Sequence, residues 1–281
     1  MRISIFSLFR DSIQTVHECL KNLEGLEDTG DFDLSYFFYE NDSIDGTPEI
    51  LKEWIKSRDG ELLSEKNNSP KYGSTLEPKR MLAMSNARNK MLSIDKRKDS
   101  EYSIIFDSDV SFSSNIINNF LNYKKLNFSM LTSNIRQNVP CKMGSGKNDS
   151  YYDSSILYDT NGVNCMTWSD NPFYEKSDRD NFEKGNPVEV LSAFGSFAFL
   201  KTSYLHKCKW SSKGESEHLS FCRDLRKYAP IYLIPNIRPT VNIEQKKWDH
   251  EDKVIEHQKK LLKNKWNRFL LKTNNLSYNK L

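Results

Sequence analysis

The chain lacks any run of about eighteen apolar residues, the length a membrane helix requires. Its apolar bursts, Ile104-Ile105-Phe106 and the stretch 193–200, are short. A secretory signal is lacking too, because the apolar opening Ile3 to Phe9 is cut by Arg10-Asp11 without a small-residue cleavage site. The expectation is a soluble, cytoplasmic protein. No CxxC pair occurs among the five cysteines at 19, 141, 165, 208 and 222, and the odd, scattered set argues against a disulfide framework. Reduced thiols are expected, with a Cys141–Cys165 bridge inside one loop as the alternative. Charge of one sign is also missing. Lys plus Arg number 41 against 38 Asp plus Glu, a net +3, too balanced for a nucleic-acid reader. No glycine-rich phosphate loop follows the first predicted strand, and no internal repeat is present.

What is present is enough apolar material for a core. Hydrophobic residues make up 37% and aromatics 12% of 281 residues, so much of the interior must be aromatic and the chain is not of the disordered class. The length suits one large α/β domain. Charge is unevenly spread. Residues 244–281 hold ten Lys or Arg and five Asp or Glu, a net +5, which leaves about −2 for residues 1–243.

Apolar-polar alternation predicts a strand over Arg2–Phe9. A helix over 12–23 carries Ile13, Val16, Leu20 and Leu23 on one face. A strand over 34–39 runs into the polar cluster Glu40-Asn41-Asp42-Ser43. Thr47 then suits an N-cap, with Pro48 opening a helix to about 56. Further strands are expected over 60–64, 102–106, 128–132 and Ile231–Ile234. Helices are expected over 77–94, 114–125 and 219–227, with 249–271 helical in period. The segment 138–185 is polar and irregular, and 188–201 is apolar and strand-like. Strands alternating with helices predict a mainly parallel sheet covered on both faces, followed by a basic C-terminal helical extension.

Four clusters carry chemistry. The first, residues 40–47, stands at the C-terminal edge of a strand, where ligands of parallel α/β sheets collect. Its carboxylates can accept hydrogen bonds from ribose hydroxyls or base N–H groups; a loop with a helix cap is the plainer alternative. The second is Arg80 with Arg88-Asn89. Eight residues of helix set the arginines about two turns apart and about 80° out of line. Either guanidinium matches diphosphate oxygens, and a solvated basic face explains them as well. The third is Asp107-Ser108-Asp109, directly after an apolar strand, a pair of hard oxygen donors suited to Mg²⁺ or Mn²⁺. The fourth is Gly214-Glu215-Ser216-Glu217-His218, which can supply a general base or metal ligand, or else a capped helix start.

Taken in order, the clusters resemble the GT-A glycosyltransferases. The similarity is greatest to fungal capsule-associated and Golgi-type mannosyltransferases and related viral or bacterial enzymes. It rests on Tyr39-Glu40-Asn41-Asp42-Ser43-Ile44-Asp45-Gly46-Thr47, on Ala87-Arg88-Asn89, on the DxD at Asp107 and Asp109, and on Glu217-His218-Leu219-Ser220-Phe221-Cys222. It covers about residues 1–240. The resemblance implies a GT-A, Rossmann-like fold over 1–243, divided into a nucleotide-sugar-binding half (1–110) and an acceptor half (111–243), with 244–281 as the extension.

It implies nucleotide contacts for Glu40 and Asn41, with Asp42 beside them, and diphosphate contacts for Arg88 and Arg80. Asp107 and Asp109 would hold Mn²⁺ or Mg²⁺, Asp107 also facing the donor, with His218, His250 or a water able to fill a further position in the metal shell. Glu217 is the expected acceptor-side or catalytic carboxylate, and Glu215 the second choice. The donor would be a GDP- or UDP-sugar and the acceptor a glycan, lipid-linked or protein-linked. One departure is that no His follows the strand Ile231–Ile234 before Asn242, where the family often takes another metal ligand. An acceptor is expected beneath 138–185, near Ala193-Phe194-Gly195-Ser196-Phe197, with Tyr151, Tyr152, Trp168, Phe173 and Tyr174 available to stack on sugars. The basic C-terminal helix suggests peripheral membrane contact. The alternatives are a sugar nucleotidyltransferase and a catalytically inactive sugar-binding module of the same fold.

Overall fold

A computed structural model of the chain describes residues 1–72, 77–140, 147–165, 169–212 and 216–241. The order is β1 (Arg2–Phe9), α1 (Ile13–Glu27), β2 (Asp33–Asn41), α2 (Thr47–Ile55), β3 (Gly60–Glu65), α3 (Pro78–Ile94) and β4 (Tyr102–Asp107). There follow β5 (Val110–Ser111), α4 (Ile116–Leu121), β6 (Met130–Ser133), β7 (Arg136–Pro140), β8 (Lys147–Tyr151), β9 (Tyr158–Asp159) and α5 (Lys176–Glu183). The described chain ends with β10 (Val188–Ser192), β11 (Phe197–Lys201), α6 (Thr202–Leu205), α7 (Glu217–Leu225), β12 (Ile231–Ile234) and β13 (Thr240–Val241).

The central sheet runs β3-β2-β1-β4-β11-β6-β12-β10-β9. β1 lies parallel between β2 and β4, with Ile5 opposite both Tyr36 and Ile104, and β3 extends the parallel set beyond β2. β11 reverses direction between β4 and β6, and β10 reverses again beside β12. A smaller sheet, β5-β13-β7-β8, stands apart. The architecture is therefore the mainly parallel α/β sheet expected, with two reversals that single-strand patterning does not specify.

Alternation along β1 builds two cores. Ile3, Ile5 and Phe9 face α1, α2 and α4, packing with Val16, Leu20, Trp54 and Phe120. Phe6 points the other way, into a core with Met91 of α3 and Phe221 and Leu225 of α7. Aromatic stacking fills the first core. Phe120 lies parallel to Phe197 and Phe199 with centroids 5.9 and 5.4 Å away, and Tyr102 stacks on Phe199 at 4.7 Å. Burying such rings contributes roughly 1.5–3 kcal/mol each, so the high aromatic content is accounted for by core packing.

Several expected boundaries shift for local reasons. The stretch 188–201 is two strands, because Gly195 turns the chain between β10 and β11. Residues 138–185 are not wholly irregular: β8 pairs antiparallel with β7, β9 edges the main sheet, and α5 forms a surface helix. At α2 the N-cap position is Gly46, at φ 84°, rather than Thr47. The helix over 114–125 shortens to α4. Glu215, Trp168, Cys141 and the extension 244–281 lie outside the described residues. The four described cysteines are free. No helix among the described residues is long and apolar enough to cross a membrane.

Candidate active site

A cleft of about 1530 Å³ opens at the C-terminal ends of β1, β2 and β4 and is flanked by α3 and the start of α7. Parallel strands end there because their connections to the next helix leave a crevice at that edge. Asn41, Arg80, Arg88, Asp107, Asp109, Glu217 and His218 all line it. The topology thus gathers residues separated by as many as 177 positions of sequence, Asn41 to His218, into one concavity.

The acidic loop 40–47 turns out to be mostly a fastening. Glu40 is buried and does not line the cleft; its carboxylate accepts from the Ser43 N–H at 2.9 Å and from Ser64 Oγ at 2.5 Å. Asp42 accepts the N–H groups of Asn67, Asn68 and Ser69, together with the Asn41 amide. Desolvation opposes its charge, but these donors outweigh it and hold its carboxyl below the ordinary range. Asp45 takes the Ile13 N–H at 3.0 Å and the Thr47 N–H at 3.1 Å, tying α1 and α2 together at their first turns. Glu40 and Asp42 thus spend their carboxylates on their own loop, and Asn41 is the one of the three that lines the cavity. Carboxylates surrounded by backbone N–H groups are drawn to them before any ligand arrives.

The two arginines separate as the helical offset requires. Arg80 sits at the cleft rim. Arg88 is buried beneath it, with Nη2 3.4 Å from Asp107 Oδ1 and Nε 3.5 Å from Glu217 Oε1. Its guanidinium carbon lies 4.9 Å from the centroid of the Phe194 ring. Arg88 thus lines the cleft as a bridge between the DxD and the α7 carboxylate.

Glu217 is not a helix cap: Ser216 holds the N-cap position of α7, and no side-chain cap bond is made there. Instead Glu217 is buried at the cleft wall beside Arg88, its Oε1 also 3.6 Å from His218 Nε2. The His218 ring stacks on Phe194 with centroids 4.2 Å apart. Burial, and then the charges of Arg88 and Arg80, hold the imidazole far below its ordinary pKa, so it is neutral at pH 7. Its Nδ1 has no hydrogen-bond partner among the described residues.

Asp107 is held at the end of β4 by its N–H bond to the Ser196 carbonyl, 3.0 Å. Asp109 lies on the same cleft wall. Among the described residues no group of three His, Cys, Asp or Glu side chains is arranged to hold a metal ion, so His218 is not placed as the third ligand that the resemblance implied. Two hard oxygen donors on one wall still fit a divalent ion that completes its shell with ligand oxygens and water.

Two features escaped the sequence. Asp153 lines the cleft, its Oδ2 accepting the Gly195 N–H at 3.0 Å. Burial, then the charges of Asp107 and Glu217, push its carboxyl up to about 8. The turn 193–196 is the second. Phe194 supports Arg88 and His218, Gly195 anchors Asp153, and Ser196 anchors Asp107. Gly195 has φ +62°, and a Cβ there would stand 2.4 Å from the Ser133 carbonyl oxygen, so only glycine fits. Asp153 had no flanking motif to betray it, whereas the small residue between two phenylalanines at 194–197 was a legible signal of a tight turn. Of the aromatics expected to stack on sugars, Tyr152 faces the cleft, but Tyr151 and Phe173 are core residues.

The fold is similar to solved glycosyltransferase structures. Staphylococcus aureus TarS 1–349 aligns with a TM-score of 0.52 at 13% identity, over 86% of this chain and 60% of that one. The same protein in complex with UDP-GlcNAc gives 0.51 at 13%, over 86% and 58%. The mannosyltransferase PcManGT from Pyrobaculum calidifontis, in complex with GDP-Man and Mn²⁺, gives 0.51 at 12%, over 86% and 57%. This chain spans roughly six-tenths of the length of those structures. Comparison with curated protein sequences gives no match. The family model described as Cryptococcal mannosyltransferase 1 matches residues 13–228, a span that holds the acidic loop, Arg88, the DxD and Glu217, and the chain belongs to that family.

Proposed function

We propose that the chain transfers a hexose, mannose being the first candidate, from a GDP- or UDP-sugar to a hydroxyl of a glycan, lipid-linked or protein-linked acceptor. The observation that carries this reading is the arrangement across one cleft. The DxD carboxylates and buried Glu217 line the same cleft, and Arg88 lies between Asp107 and Glu217. Family membership supports the mannosyl preference, and the GDP-Man and Mn²⁺ of PcManGT and the UDP-GlcNAc of TarS keep both donor bases in view.

Residues 1–110 supply the donor side, with Asn41 at the nucleotide end and Arg80, at the rim, toward the diphosphate. Residues 111–243 supply the acceptor side. Asp107 and Asp109 would hold Mn²⁺ or Mg²⁺, which when bound neutralises charge on the departing diphosphate. Glu217 takes or orients the acceptor hydroxyl proton, and Arg88 fixes Glu217 in place through its Nε. His218, neutral and stacked, walls the acceptor side from water. Glu215 remains the second carboxylate proposed for this role, and the basic segment 244–281 is proposed to rest on an anionic membrane surface.

The test is paired measurement on Glu217→Gln. The substitution keeps the shape but removes the proton acceptor, so transfer should fall about 10²–10⁴-fold while the donor dissociation constant stays within about twofold. Loss of donor binding would move Glu217 into the nucleotide shell, and full activity would remove it from the reaction. Nucleoside-diphosphate release with Mn²⁺, against pyrophosphate release, separates this reading from a nucleotidyltransferase, and release of neither identifies an inactive binding module.

A further inference from the structure

Three acids, Asp107, Asp153 and Glu217, meet around the single guanidinium of Arg88 at the floor of the cleft. Arg88 reaches Asp107 and Glu217, at 3.4 and 3.5 Å, and no ion pair is recorded between it and Asp153. Placing a further carboxyl beside two others is costly unless something else in the site uses it. The backbone is built to keep it there. Its Oδ2 is fixed by the Gly195 N–H, and Gly195 itself is fixed twice: the Ser133 hydroxyl donates to its carbonyl at 2.6 Å, and no other residue fits its conformation. Among the described residues the Gly195 N–H is the one hydrogen-bond donor recorded for this carboxyl, so Oδ1 is left to the cleft.

Its position says which ligand. C1 of a sugar nucleotide is bonded directly to the diphosphate. With the diphosphate at Asp107 and C1 facing Glu217, the rest of the ring, with its hydroxyls, lies beside that line, where Asp153 is a further carboxyl lining the cleft. Asp153 is the carboxyl whose neighbouring charges are those two acids and Arg88. We infer that Asp153 is a sugar-recognition residue, its Oδ1 hydrogen-bonded to a ring hydroxyl of the hexose to be transferred, and that the turn 193–196 exists to hold it at that station. This inference rests on the glycosyltransferase reading above and adds the residue that selects the sugar. A carboxyl paired with a hydroxyl is selective, because an epimer that turns the hydroxyl away leaves a desolvated polar group unpaired.

The experiment compares GDP, UDP, GDP-mannose, GDP-glucose and UDP-N-acetylglucosamine, each with Mn²⁺, on the wild-type protein and on Asp153→Asn and Asp153→Ala, with thermal unfolding of each variant recorded first. Asp153→Asn keeps an acceptor oxygen and guards against a variant that merely fails to fold. For the base that the wild type prefers, affinity for the free diphosphate should stay within about twofold in both variants. Affinity for the preferred sugar nucleotide should fall about 10- to 100-fold in Asp153→Ala, and discrimination between the mannose and glucose donors should narrow. Equal loss of free diphosphate and sugar nucleotide would place Asp153 in the metal or nucleotide shell and overturn the inference. Unchanged sugar affinity and unchanged discrimination would overturn it as well. A wild-type protein that binds diphosphates but no sugar nucleotide would sink the donor reading itself, which is a different failure from that of Asp153.

Discussion

Arg88 shows how a residue's environment revises its role. On the sequence it is one basic residue of a helix face, as fit for a diphosphate as Arg80 is. In the structure it is buried at 3% exposure and shared between half-buried Asp107 and buried Glu217, so its removal would leave the Glu217 carboxylate buried and uncompensated. His218, on the same side of the cleft, carries a prediction with a definite sign. Its imidazole is held neutral by burial and by Arg88 and Arg80, so its folded pKa lies below the unfolded value of about 6.5. Between those two values the unfolded chain binds a proton that the folded chain refuses, so stability contributed here falls as pH drops below about 6.5 and is untouched above it. Thermal unfolding from pH 7 to pH 5 should therefore drop more steeply for the wild type than for His218→Phe, which retains the stacking on Phe194. Parallel curves would show that the ring is solvated in the folded state.

At the scale of elements, the turn 193–196 joins β10 to β11 and touches the groups that define the site. Gly195→Ala puts a Cβ 2.4 Å from the Ser133 carbonyl and forces a side chain into the left-handed region. Strain of this kind costs of order 1–3 kcal/mol, and the Asp153 anchor is lost with it. The expected outcome is a lowered unfolding midpoint in urea together with narrowed sugar discrimination. A midpoint shift alone, with sugar discrimination intact, would confine the turn to a structural role. The same turn marks the limit of what sequence shows. Periodicity located β1, α1, α2, α3, β4 and β12 to within a few residues, because each is an apolar or amphipathic run with a clear break at its end. It merged β10 and β11, since two mostly apolar strands joined by the equally apolar stretch 193–196 show no polar break between them. It also could not show that Glu40 and Asp42 bind the N–H groups of their own loop, because a strand-end carboxylate looks the same in sequence whatever it faces. Asp153 was invisible for the converse reason: a lone acid in a polar segment gains its meaning from Gly195, forty-two residues later.

Across the whole molecule, the cleft lies between a wall carried by the parallel strands, proposed to take the donor, and a wall carried by residues beyond 150, proposed to take the acceptor. That division makes ligand binding and stability one measurement. A ligand that spans both walls binds only the folded state, so at a hundred times its dissociation constant it should add about 2.7 kcal/mol to stability. For a domain of this size each kcal/mol raises the unfolding temperature by roughly 2–4 °C, giving an expected rise of about 5–10 °C with saturating nucleoside diphosphate and Mn²⁺. If Asp107 and Asp109 meet the diphosphate through an ion, as proposed, chelation should remove most of that rise, because like charges then oppose binding. Asp109→Ala should behave in Mn²⁺ as the wild type behaves in chelator, while unfolding at nearly the same temperature without ligand. The comparison separates two ways of holding a diphosphate. If the stabilisation survives both chelator and Asp109→Ala, the cations lining the cleft, Arg10, Lys79 and Arg80, carry the diphosphate unaided, and the DxD acids serve to hold Arg88 instead. If it vanishes in both, the cation links donor to protein, and the buried bridge from Asp107 through Arg88 to Glu217 connects the departing group to the carboxylate that meets the acceptor.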